Sequence, residues 1–176
     1  MCGIVGYIGQ RDCTDVLMQG LEKLEYRGYD SAGLAVFEKT GIKTVKTKGK
    51  LADMRHKLDI EGSPVGHCGI GHTRWATHGE PSDINSHPHT NGRVTIVHNG
   101  IIENYIELKE FLTEKGYTFT SQTDTEVVAC LLDYYYSERN PLRAITETLK
   151  ELKGSYALGI IFRDFPDRVY ATRKEL

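Results

Sequence analysis

The chain has 176 residues, a formal net charge of -2, 39% hydrophobic and 26% charged residues. That is enough for one domain with a real core, and it gives no global basic field to draw nucleic acid or an anionic membrane. No stretch approaches the roughly 20 apolar residues of a membrane span, and the start MCGIVGYIGQRDC lacks the basic segment and cleavage site of a signal peptide.

Residues 3–8 (GIVGYI) predict a short buried strand. Residues 14–26 place Val16, Leu17, Gly20, Leu21 and Leu24 on one helical face, with Gly28 ending the helix or opening the turn after it. Strands are predicted at 33–38 and 43–48 around Thr40-Gly41, with Lys43, Lys46, Lys48 and Lys50 forming a solvated edge. A short helix at 51–58 follows. Strands at 66–73 and 94–98 are split by a loop rich in His, Pro, Asn and Gly. Residues 103–115 align Tyr105, Leu108, Phe111 and Leu112 as a helix that stops at Gly116. Residues 124–137 align Val127, Val128, Leu131, Leu132 and Tyr135, and Thr123 with Glu126 fits a capping box. A helix at 141–153 has Asn140 as cap, Pro141 as first residue and Gly154 at its close. Strands at 155–163 and 168–173 end the pattern, and the sequence runs out of a strand at Lys174-Glu175-Leu176, so more protein is expected beyond it. Strands first, helices clustered later and strands again predict an α+β arrangement of sheets covered by helices.

Cys2, Cys13, Cys68 and Cys130 show no C-x-x-C spacing, so zinc and dithiol chemistry are not indicated. With cytoplasm as the default compartment they are expected as thiols, the last three as small buried hydrophobes. Tyr134, Tyr135 and Tyr136 read as packed aromatics, since no basic residues interleave them.

Cys2 stands apart. Loss of Met1 would leave it with a free α-amine of pKa about 7.7–8.0, making it its own nucleophile–base pair; taken alone, the residue reads more readily as an accident of the translation start, since short motifs recur by chance. A thiol that attacks an amide needs an oxyanion hole. Asn99 and Gly100, at the end of strand 94–98, offer a side-chain and a backbone N–H, although Asn-Gly is also the commonest hairpin turn. Arg74, in the polar run from His72 to Gly79, could take a carboxylate and Asp124 an ammonium; on residue type alone they read as a surface ion pair and a helix cap. His87 and His89 have the spacing of two ligands on one strand face, but no H-E-x-x-H or Cys cluster completes a metal set, and none is assigned. No phosphate-binding glycine loop is present.

Together these blocks form one pattern: CGIVGYIG at 2–9, LEYRGYDSAGLAV at 24–36, GHTRWATHGEP at 71–81, NSHPH at 85–89, VHNGIIENY at 97–105 and SQTDTEV at 121–127. Over essentially its whole length, 1–176, the chain resembles the N-terminal glutaminase domain of the glucosamine-6-phosphate synthases, within the class II glutamine amidotransferases. The resemblance implies a four-layer αββα sandwich of the N-terminal-nucleophile hydrolase type. It implies Cys2 as nucleophile, its α-amine as base, Asn99 and Gly100 as oxyanion hole, and Arg74, Thr77, His78 and Asp124 as the glutamine pocket. Trp75 matches a residue that gates ammonia, and Arg27 matches a position near the site. The implied reaction releases glutamate and ammonia through a γ-glutamyl thioester, with no cofactor and no metal. In the family a C-terminal sugar-phosphate isomerase domain uses the ammonia to aminate fructose 6-phosphate, and the full-length enzyme is expected to be a homo-oligomer. The rivals are a non-catalytic glutamine-sensing module, another N-terminal-nucleophile amidase and a metallohydrolase. An intact Cys2 argues against the first, and a zwitterion clamp against the second.

Overall fold

The computed structural model describes residues 2–175, and of Arg27 the backbone alone. The elements run β1 (Gly3–Ile8), α1 (Cys13–Glu22), β2 (Ser31–Glu38), β3 (Gly41–Lys48), α2 (Leu51–Glu61), β4 (Cys68–Arg74), β5 (His89–Asn91), β6 (Val94–Gly100), α3 (Tyr105–Glu114), α4 (Asp124–Tyr135), α5 (Pro141–Glu151), β7 (Tyr156–Phe162) and β8 (Tyr170–Lys174). They build two antiparallel sheets, ordered β1-β4-β2-β3 and β5-β6-β7-β8. No helix among the described residues is long and apolar enough to cross a membrane.

Side chains alternate along a strand, so a strand buried on both faces reads as a continuous apolar run. β2 (SAGLAVFE) is such a strand. Ala32, Leu34 and Val36 pack with Leu17, Leu21, Met54 and Leu58 of α1 and α2. Ala35 and Phe37 face the other way and meet Val97 and Ile161 of the second sheet. The outer face of that sheet, with Ile96, Leu158 and Ile160, packs on Leu112, Val128, Leu131 and Ala144 of α3, α4 and α5. The layers are therefore helix, sheet, sheet, helix, as expected.

The long helix predicted at 14–26 divides. Its α portion stops at Glu22, and a 3-10 turn follows at Glu25–Arg27. The reason is local: the Leu24 N–H bonds Leu21 O at 2.9 Å, which tightens the turn and lays Leu24 over Gly3 of β1. β5 lies in the loop that hydrophobic pattern left blank, because its three residues are polar. The lysine edge is corrected in part. β3 is the sheet edge and Lys48 and Lys50 are exposed, but Lys43 and Lys46 are half-buried. Burial pulls Lys46 down to about 8, against the nearby charges of Glu126 and Asp83.

The capping box at α4 is half formed. Thr123 Oγ1 accepts the Glu126 N–H at 3.3 Å, but the Glu126 carboxylate turns to the preceding loop. It accepts the Thr120 N–H (2.9 Å) and hydroxyl (3.0 Å) and the Ser121 N–H (2.7 Å) and hydroxyl (2.6 Å). Burial raises the Glu126 pKa, yet these bonds outweigh it and hold the carboxyl below its ordinary value. A lowered folded-state pKa means stability that is present above the unfolded value and lost as pH falls through the folded one. Glu126→Gln is expected to cost about 1–3 kcal/mol at pH 7, because an amide cannot receive four donors. In urea unfolding the gap from wild type should narrow as the pH is lowered; a gap constant down to acid pH would contradict the charge-based account.

Candidate active site

β1 pairs with β4 in the register Gly3↔Thr73 and Ile4↔His72, which brings Cys2 beside the end of β4. The Trp75 N–H donates to Cys2 Sγ at 3.2 Å, and Sγ lies 3.5 Å from Trp75 O. Burial raises the thiol pKa, and the Trp75 N–H and the Arg74 charge oppose it without cancelling it. The nucleophilic form is the thiolate. Among the described residues no side-chain base hydrogen-bonds Sγ, so the proton must leave by another group.

Asn99 and Gly100 end β6 and are still paired there, through Asn99↔Ala157 and Gly100↔Tyr156. They are not a hairpin turn. Gly100 has φ +107°, and a Cβ there would stand 2.1 Å from Ser155 O, so only glycine fits. Asn99 Nδ2 donates to Cys2 O at 3.3 Å, and His72 Nε2 meets Asn99 Oδ1 at 2.8 Å.

Cys2, Arg74, Trp75, Thr77, Asn99, Gly100 and Asp124 line one cavity of about 570 Å³. Arg74 is 3% exposed, so it is not a surface ion pair. Its Nη2 donates to the carbonyls of His78 and Gly79, while Nη1 is buried with no partner. Burial lowers the pKa of this guanidinium, although Asp30, Cys2 and Asp124 favour its charge. Asp124, 3% exposed, does not cap its own helix; Thr123 does. Its Oδ2 accepts the Ile102 N–H at 2.9 Å. His98 Nδ1 lies 3.8 Å from Oδ1 and His78 Nδ1 lies 4.0 Å from Oδ2. His78 stands beside the cavity, its ring edge-on to Tyr105 at 5.1 Å. Trp75 is 55% exposed. Met1 and the Arg27 side chain lie outside the described residues.

Four histidines are buried at the cavity: His87 and His98 line it, and His72 and His89 are not among its lining residues. His87 and His98 both bond the Thr125 hydroxyl, through Nε2 (2.6 Å) and Nδ1 (2.9 Å), and His89 Nε2 bonds that of Thr123 (3.0 Å). Burial brings His72 to about 3 and pushes His87, His89 and His98 below the ordinary imidazole value. The spacing of His87 and His89 thus serves two threonines. Among the described residues no three His, Cys, Asp or Glu side chains are grouped to hold a metal ion.

Two residues escaped the sequence reading. Asp30 accepts the Ala76 N–H at 2.6 Å and donates its own N–H to Arg74 O at 2.7 Å, fixing the loop that carries Trp75 and Thr77. An acid directly before the buried run of β2 was the available signal. His72 falls within the strand predicted at 66–73, as observed, but as the first residue of a polar run it was given no role of its own. A larger hollow of about 930 Å³ opens between β3 and β5, lined by Lys46, His89 and Arg163 among others; no cysteine lines it.

The glutamine amidotransferase domain family matches residues 72–176. Glutamine–fructose-6-phosphate aminotransferase (isomerizing) of Clostridium perfringens is 58% identical over 99% of this chain, and that of Clostridium tetani is 56% identical over the same share. In each case the chain spans 29% of the relative's length. Among solved structures, glutamine phosphoribosylpyrophosphate amidotransferase from B. subtilis, complexed with ADP and GMP, superposes with a TM-score of 0.79 at 26% identity, over 93% of this chain and 35% of that one.

Proposed function

As the chain belongs to the glutamine amidotransferase family, we propose that it hydrolyses L-glutamine to glutamate and ammonia, with Cys2 as the nucleophile. The observation that carries this reading is the convergence of a thiol, an amide donor, an unpaired buried guanidinium arm and a buried carboxylate in one cavity. Arg74 Nη1 binds the substrate α-carboxylate and Asp124 the α-ammonium, with Thr77 and His78 completing the pocket. That clamp carries the side-chain amide to Sγ.

Once Met1 is removed, the Cys2 α-amine takes the thiol proton as sulfur attacks the amide carbon. The carbonyl oxygen becomes an oxyanion that accepts N–H bonds from Asn99 Nδ2 and the Gly100 backbone. The raised thiol pKa supports a base that acts during the attack rather than a standing thiolate. The α-ammonium returns its proton to the departing nitrogen, which leaves as ammonia. Water, deprotonated by the amine, then attacks the thioester; glutamate leaves and the thiol is restored. Every part is supplied by the chain, so the reading needs no cofactor.

The names and lengths of the relatives support a wider role. In the whole protein this unit feeds ammonia to a C-terminal sugar-phosphate isomerase domain that converts fructose 6-phosphate to glucosamine 6-phosphate. We place that enzyme in the cytoplasm, as a homo-oligomer, in hexosamine synthesis. In this reading Trp75 gates the ammonia, which its exposure at the cavity wall supports.

The chain, shown by mass to lack Met1, is expected to release glutamate and ammonia from glutamine in equal amounts. Added hydroxylamine should divert the thioester to γ-glutamyl hydroxamate. No release from the Met1-free chain would end the reading of an autonomous glutaminase.

A further inference from the structure

We propose that His72 is the positioning residue of the oxyanion hole: by donating its Nε2–H to Asn99 Oδ1, it fixes which end of the Asn99 amide faces the substrate. The inference rests on the role given above to Cys2 and Asn99.

The ends of a side-chain amide are alike in shape and opposite in polarity. With the nitrogen toward the attacked carbonyl, Asn99 supplies a donor. Rotated by half a turn, it presents a lone pair to a developing negative charge. Two contacts decide between these states. The Cys2 carbonyl can only accept, so the atom 3.3 Å from it must be the amide nitrogen. The atom 2.8 Å from His72 Nε2 is then the amide oxygen, which also only accepts. Nε2 must therefore carry a hydrogen, and this assignment follows from the network.

The ring is equipped to hold that state. In the neutral tautomer Nδ1 is bare, and Nδ1 is the ring atom left buried without a partner. An unmet acceptor is the less costly omission. Burial holds the imidazole to about 3, so it stays neutral through physiological pH. His72 is 0% exposed and lies within β4, paired to Ile4 on one side and Gly33 on the other. Its ring lies 4.3 Å from that of His87. At Gly33 a Cβ would stand 1.8 Å from His87 O, so the missing side chain lets the 85–89 loop press onto the sheet and close over the ring. His72 is not among the residues lining the cavity, so it acts through Asn99 and not on the substrate. The bond also draws charge toward Oδ1 and strengthens the Nδ2–H as a donor.

The test compares His72→Leu with His72→Gln, whose amide nitrogen can reach the place of Nε2. Loss of an oxyanion donor lowers kcat by about 10²–10³-fold. Loss of its positioning bond should lower kcat somewhat less, by about 10–100-fold in His72→Leu, with KM changed less than about threefold. His72→Gln should recover to within about fivefold of wild type. Alkylation of Cys2 by iodoacetamide forms no oxyanion and should run at one rate in all three proteins. His72→Leu in an Asn99→Ala background should add no further loss. An unchanged kcat in His72→Leu overturns the proposal. So does equal loss in both variants together with a raised KM and slowed alkylation, which marks a packing role. Wild-type chain that releases no glutamate, or Asn99→Ala with full activity, would instead sink the reading on which this rests.

Discussion

Cys2→Ala is expected to lower glutamate release by at least about 10⁴-fold and to leave the fold in place. The sulfur meets the Trp75 backbone, accepting its N–H at 3.2 Å and lying 3.5 Å from its O, and it belongs to no apolar cluster among the described residues. Its removal opens no core cavity, so the unfolding midpoint should move by about 2 °C or less. Arg74, Asp124 and Asn99 remain, so glutamine should still bind and raise the midpoint of the variant. That combination separates a missing nucleophile from a damaged protein. Ammonia release in a coupled assay, with a thermal melt in added glutamine, reads both quantities. Retention of more than about 1% of wild-type turnover would mean that another group carries the attack.

Asp124→Asn should act on a different parameter. The asparagine retains an oxygen for the Ile102 N–H, so the start of α4 and the 101–102 backbone keep their bond. What disappears is a negative charge that is 3% exposed. Breaking a buried ion pair by removing one partner costs about 3–5 kcal/mol, which is a fall of about 10²–10³-fold or more in kcat/KM. The substrate ammonium is several bonds from the reacting amide, so the loss should appear in KM with kcat largely retained. Glutaramic acid, which is glutamine without its amino group, should be turned over equally poorly by both proteins. An unchanged KM for glutamine would remove Asp124 from the binding site.

Elements whose burial follows one period were legible. The helices α3 and α4 show aligned apolar residues in the sequence, and the predicted bounds of these and of α5 fall within a few positions of those observed. Asn140 does accept the Arg143 N–H at 3.1 Å, as its place before Pro141 suggests. Less legible was whatever depends on partners distant in sequence. Nothing near Arg74 announces that two loop carbonyls take one arm of its guanidinium and leave the other free. Asp124 looks like a cap because helix starts favour acids, yet its acceptor work is for Ile102, 22 positions away. The buried histidines resemble a ligand set because spacing records direction and not surroundings; only the fold shows threonine hydroxyls facing His87 and His89. The site residues stood out when six blocks were read together, since no single short motif carries that much information.

The register that joins β1 to β4 also sets an order of events during synthesis. β1 has no strand partner until residues 68–74 have been made. At about 5–20 residues per second, roughly 4–15 s pass before β1 can pair. The other half of the site arrives much later, because Gly100 waits for Tyr156 to complete its ladder. The wall of the cavity is therefore built in two stages, the β1–β4 side once residue 74 has been made and the Gly100 end of β6 only when β7 follows.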